Sequence, residues 1–209
     1  MFAVNTYEQI EKREKELNEK HIVVLMFVKP STPDADDIIL EFNYLHHNSW
    51  RYCSIYAIGY SDNKDMLREA EKVECTVENT EWYYSDVEFI DFKNKLSRRI
   101  KWQYSGENEI IVLQSNPEGR EILNFQNYVA INISKGLRDE YIESYNMFME
   151  QLINSSKSEV ESKKAVSRTT QFKIKDIAIN AVSMSKKLPA PLRKVLKDRF
   201  FFKTSRCKL

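Results

Sequence analysis

The chain has 209 residues, 42% of them hydrophobic, 12% aromatic and 30% charged. That suffices for one core plus an appendage of about fifty residues. Only 4 glycines and 5 prolines, with a mean hydropathy of -0.55, exclude a low-complexity or loop-dominated chain. No apolar run approaches the roughly 18 residues of a membrane span, and the first twenty residues are too charged for a secretory signal, so the expected location is the cytoplasm. Cys53, Cys75 and Cys207 are odd in number and widely spaced. They form neither a disulfide framework nor a CxxC redox or zinc pair, and no cofactor or metal is expected.

The formal charge of +1 conceals a split. Residues 1–156 hold 17 Lys and Arg against 27 Asp and Glu, whereas residues 157–209 hold 15 against 4. The polar stretch Asn154 to Ser167 reads as a linker between an acidic domain, 1–153, and a basic tail, 168–209.

Within the acidic part, Thr6 is placed to cap a helix from Tyr7 to about Glu19, with Tyr7, Ile10 and Leu17 on its apolar side. Ile22 to Val28 is a continuous apolar run of strand length, as expected of a central strand covered on both faces. Next, Thr32 can serve as N-cap with Pro33 at the first helical position and Asp34, Asp36 and Asp37 in the first turn. Ala35, Ile38, Ile39, Phe42 and Leu45 continue that helix. Arg51 to Gly59 reads as a second buried strand, and Glu109–Gln114 and Glu121–Phe125 as two strands joined by a tight turn at "SNPEG". Leu137, Tyr141, Tyr145, Phe148 and Leu152 line one face of a long closing helix. The fold class is therefore α/β, a mixed sheet flanked by helices, with Val23–Val28 between Ile55–Ile58 and Ile110–Leu113.

This order of elements, the turn after the first long strand, the hairpin and the helix after "ISKG" resemble a thioredoxin-like domain over about residues 4 to 153. The resemblance implies that Ser31-Thr32-Pro33-Asp34 stands where the family carries its CxxC motif. Glu109 stands where the family has a cis-proline before the hairpin, and about fifty residues, 60–108, are inserted. Disulfide exchange needs a thiolate and a second sulfur, so a domain of this kind would lack redox activity. It would act as a non-catalytic binding or assembly module, with Ser31, Thr32 and Asp34 as candidate contacts.

The insertion is dense in aromatic residues. Ser85 or Asp86 can cap a helix carrying Phe89, Phe92 and Leu96, and the aromatic residues suit a satellite core. A second use is a recognition surface made of Trp82, Tyr83, Tyr84 and Trp102 with Arg98 and Arg99. Asp86, Asp91 and Lys93 fit the loose acid-x-lysine pattern of metal-dependent nucleases, which is the enzyme alternative. The adjacent His46 and His47 diverge on a helix and make a poor metal site. No glycine-rich phosphate loop, nucleophile elbow or HExxH is present.

In the tail, Ile174, Ile177, Ala178, Ala181 and Val182 share a helical face. A second segment sets Leu192, Val195, Leu196 and Phe200 among Arg193, Lys194, Lys197 and Arg199, followed by Phe201 and Phe202. These residues suit attachment to an acidic protein, self-association, an anionic membrane surface or nucleic acid. A tail folded back on its own domain is the remaining alternative.

Overall fold

The computed structural model describes residues 1–49, 52–164, 172–185 and 202–204. The chain runs β1 (Phe2–Val4), α1 (Tyr7–Leu17), β2 (Ile22–Phe27), α2 (Ala35–Leu40), α3 (Phe42–Ser49), β3 (Cys53–Ile58) and β4 (Tyr60–Ser61). After a 3-10 turn at Lys64–Met66 come β5 (Glu71–Val77), β6 (Thr80–Tyr84), α4 (Asp86–Arg99), β7 (Glu109–Ser115) and β8 (Leu123–Asn132). The described residues close with α5 (Ile133–Arg138), α6 (Tyr145–Lys164), α7 (Ile174–Ser185) and β9 (Phe202–Thr204).

The architecture is α/β, and the main sheet has the order β1-β3-β2-β7-β8-β9. Strands β1, β2 and β3 are mutually parallel, and β7 runs antiparallel to both β2 and β8. As expected, the apolar run that forms β2 lies between β3 and β7, and none of its six residues is exposed. Because successive strand side chains point to opposite faces, Val23, Leu25 and Phe27 face one layer and Ile22, Val24 and Met26 the other. Phe27 meets Phe89 and Phe92 of α4, whereas the Tyr145 hydroxyl of α6 lies against the Met26 sulfur. One layer thus contains α1 and α4, and the other contains α2, α3, α6 and α7.

Helix α1 begins at Thr6 in a capping box completed by Gln9. Its inward stripe differs from expectation at one place. Leu17, in the last turn, is 46% exposed, and the buried position goes to Glu14, whose Oε1 accepts the Tyr56 hydroxyl at 2.6 Å.

The segment 60–108 is part of the main core. Strands β4, β6 and β5 form a small antiparallel sheet, and Ser85 caps α4 by accepting the Glu88 N–H. The chain crosses from β3 into this sheet at Gly59, whose φ of +85 suits glycine and where a Cβ would lie 2.8 Å from the Phe89 Cβ.

The second hairpin strand, expected at Glu121–Phe125, is β8 from Leu123 to Asn132, and three further boundaries differ from the sequence reading. The expected helix from Thr32 to Leu45 is two helices beginning at Ala35. The expected long closing helix is interrupted between Arg138 and Tyr145. There Glu140 adopts a left-handed φ of 54, and the Tyr141 and Ile142 N–H groups return to the Gly136 carbonyl. Ile142 then packs on Gly136, and Ser144 accepts the Met147 N–H at the start of α6.

The third difference is the linker. Residues 154–164 are the end of α6, with Ser156 and Val160 buried and Ser158 returning its hydroxyl to the Asn154 carbonyl. Helix α7 then docks on the same core through Ile174, Ile177, Ala178, Ala181 and Val182. The Phe172 N–H donates to Gln114 of β7 at 2.9 Å, and Phe202–Thr204 pairs along the β8 edge. For 172–185, fold-back replaces the free tail, because an apolar helical face gains more from covering a sheet than from water.

This docking predicts that Ile174→Ala, at a fully buried position, lowers unfolding stability by about 2–5 kcal/mol, whereas Asn180→Ala, on the exposed side, changes it by no more than about 0.5 kcal/mol. Urea denaturation of the full chain measures both. Equal and negligible effects would contradict a docked α7.

Candidate functional site

The end of β2 from which the chain enters α2 gathers the buried polar residues Asn108, Glu109 and Ser134. Lys29 leaves the strand, and the turn follows with the Thr32 N–H donating to the Lys29 carbonyl at 2.9 Å. Asp34 takes a left-handed φ of 63 and makes no side-chain cap. Thr32 does not cap α2 either. Its hydroxyl lies 2.7 Å from the Lys29 carbonyl and 2.5 Å from Asn108 Oδ1. Asn108 is fully buried, donates its amide to the Pro33 carbonyl at 2.8 Å, and receives the Ile133 N–H on its own carbonyl. The turn is therefore tied across to the start of β7.

The neighbouring Glu109 is a carboxylate only 5% exposed. Its Oε2 accepts Trp102 Nε1 at 2.8 Å and its Oε1 the Ser105 N–H at 3.3 Å. Two donors meet the condition for keeping such a group buried. Trp102 in turn lies 4.6 Å from Phe27, ring to ring. Tyr104 is half-buried, and its hydroxyl is pushed above the ordinary tyrosine value by burial and then by the Glu109 charge. On the α4 side, Lys29 Nζ is 2.9 Å from Asp86 Oδ1, which also accepts the Tyr84 hydroxyl at 2.7 Å. Partial burial works against the Asp86 charge, yet Lys29 and Tyr84 hold its carboxyl below the usual value.

Around this buried network, Ser31, Pro33, Asp34, Ser105, Gly106 and Arg138 are exposed. Glu107 joins the rim to α5, accepting Arg138 Nη1 and Asn132 Nδ2 at 2.7 Å each. Among the described residues the rim carries no thiol. Cys53 is buried in β3 with its thiol pushed up to about 12 by burial, and Cys75 in β5 is pushed up to about 11 for the same reason. Both are protonated at neutral pH. His21 precedes β2 at its other end, and His46 lies between the Met1 carbonyl and Glu78.

The remaining expected sites separate. Trp82, Tyr84 and Trp102 are buried, so they supply core rather than an aromatic recognition surface; Tyr83 is half-buried. Arg98 and Arg99 lie at the far end of α4 and are exposed. Asp86, Asp91 and Lys93 do not converge. Asp86 pairs with Lys29, and Asp91 with Arg68 at 2.5 Å, while five and two residues along a helix turn these groups to different sides. Among the described residues no group of three His, Cys, Asp or Glu is placed to hold a metal ion. Arg193, Lys194, Lys197, Arg199, Phe200, Phe201 and Cys207 lie outside the described residues, and Phe202 is described only through its backbone pairing in β9. No described helix is long and apolar enough to cross a membrane.

Asn108 and Lys29 were not singled out from the sequence, and Glu109 was noted only as standing in place of a proline. The available signal was the polar pair Asn108-Glu109 opening an otherwise apolar strand, since a charge at a buried strand end must be paired by something distant in sequence.

Two outcomes follow. Asn108→Ala leaves the Pro33 carbonyl without its donor and should cost about 1–3 kcal/mol in a denaturant titration. Asp86 is held down in the folded state, so its contribution is complete above the unfolded carboxylate value and is lost as pH falls through the lower folded value. The stability difference between the native chain and Asp86→Asn should therefore shrink toward zero in strongly acidic urea titrations; a difference independent of pH would refute it. No family model matches the chain, and no curated protein or solved structure is significantly similar to it.

Proposed function

We propose that the chain is a thioredoxin-like binding module without disulfide chemistry, engaging a protein partner across the rim of Ser31, Pro33, Asp34 and Arg138. One observation carries this reading. Strands β1, β3, β2, β7 and β8 lie side by side in that order, three parallel and two antiparallel, and the turn leaving the central strand holds Ser31 and Asp34 where thiols would be needed. The side chains beneath the turn are committed to one another through Thr32, Asn108 and Glu109, which suits a rigid contact surface better than a reaction centre. Residues 186–209 hold nine Lys and Arg against one Asp. They supply electrostatic attraction toward an acidic partner.

The test restores the missing sulfurs. The full chain should reduce no insulin disulfide, whereas Ser31→Cys with Asp34→Cys should form an internal disulfide on mild oxidation, lowering the free-thiol count by two. That bond needs Cα atoms within about 7 Å. Turnover by the native chain, or a double variant that never cross-links internally, overturns the reading. A photo-crosslinker at position 34 should capture a discrete partner that the same group at Lys64 does not.

A further inference from the structure

At the end of the molecule away from the rim, a cleft of about 500 Å³ opens between α1, the last turn of α4 and the β7–β8 hairpin. Glu11, Arg99, Arg120, Glu121 and Phe125 line it. Arg99 lies over the Tyr7 ring, 4.3 Å from its centroid, and Tyr7 packs on Phe125 at 6.0 Å. Buried Tyr7 is thus the floor beneath the Arg99 guanidinium. Glu11, Arg99 and Glu121 all act electrostatically on the Tyr7 hydroxyl, and with Arg120 these four charged residues line one small space. Yet among the described residues none of the four makes an ion pair.

The surroundings of Arg99 are unusual for this part of the chain. Residues 93–101 contain Lys93, Lys95, Arg98, Arg99 and Lys101 and no acid, within a domain of 27 acids to 17 bases. None of these five cations is in an ion pair among the described residues, whereas Lys29, Arg68, Lys72, Lys135 and Arg138 all are. The C-terminal end of α4 accounts for Arg98 and Arg99 through the helix dipole, but not for Arg120, which arrives from the hairpin.

We propose that this cleft binds a ribose-phosphate group, its phosphate between Arg99 and Arg120 and its hydroxyls donating to Glu11 and Glu121. Two guanidiniums from different elements suit a phosphate. The two carboxylates disfavour a bare anion and suit a ligand that also brings hydrogen-bond donors. The group can come from a free nucleotide or from an oligonucleotide strand, whose further phosphates would follow Lys95, Arg98 and Lys101. The site is separate from the rim and does not rest on the reading of the rim.

Calorimetric titration of the full chain tests it with four probes: ribose 5-phosphate, adenosine monophosphate, a single-stranded oligomer of about 12 nucleotides, and inorganic phosphate. Ribose 5-phosphate and the monophosphate should bind more tightly than inorganic phosphate. Arg120→Glu, at an exposed hairpin position, should weaken both by about tenfold or more, the effect of a lost charged hydrogen bond, while Lys157→Glu, at an exposed position of α6 in the opposite layer, leaves them unchanged. Tighter, strongly salt-dependent binding of the oligomer identifies a nucleic-acid strand as the source; equal or weaker binding identifies the free nucleotide. Inorganic phosphate binding as well as the sugar phosphate overturns the role of Glu11 and Glu121. Absence of binding by all four probes, or binding unchanged in Arg120→Glu, overturns the site.

Discussion

Complete burial of β2 is the constraint on which the rest of the structure depends. All six residues from Ile22 to Phe27 are apolar and inaccessible, and an open sheet can achieve this only if other elements cover both faces. Helices α2 and α3 cover one face only in part. The remaining area is filled by α6 and α7, which explains why a helix from the basic end of the chain belongs to the core. On the opposite face, α1 is short and partly polar, and α4 of the inserted segment fills the rest.

Phe27 shows how closely the insertion is bound into the fold. Its ring meets Phe89, Phe92, Trp102 and Tyr104, so four aromatic residues of the 60–108 segment converge on one residue of the central strand. Aromatic pairs at these separations add roughly 0.5–1.5 kcal/mol each beyond area burial. Trp102 also carries a polar demand, met by Glu109. The pairing makes the two mutually dependent, because removing the indole would leave Glu109 with one fewer donor in a site nearly closed to water. Glu14 with Tyr56 is a second such pair, on the same layer.

The two ends of the main sheet have opposite character. At the rim, Thr32, Asn108, Glu109 and Asp86 are hydrogen-bonded to neighbouring groups, with the buried Tyr104 hydroxyl left without a partner among the described residues. At the hairpin end, charges of both signs line a cleft without an ion pair among the described residues. Unpaired charges in a confined space retain their attraction for a ligand, whereas paired ones have largely exhausted it. The rim therefore suits contact by shape, and the cleft suits contact by charge.

Local pattern by itself determined the α/β class, the central position of residues 22–28 with its two neighbours, the Thr6 cap, a helix start at Ser85 or Asp86, and the absence of a dithiol after β2. These depend on apolar run length, capping chemistry and residue identity, all of which act within a few residues. Tertiary structure alone decided where polarity misled. Asn154 to Lys164 is polar enough to read as a linker, yet it is helical because its inner face meets β3 and α7. Trp82, Tyr84 and Trp102 could have been surface or core, and Phe42, Tyr60 and Phe27 placed them in the core. The break between α5 and α6 depended on Gly136 meeting Ile142, and the tie between Thr32 and Asn108 spans 76 positions. Contacts of that separation leave no periodic trace along the chain, because each partner's choice of residue is explained only by the other.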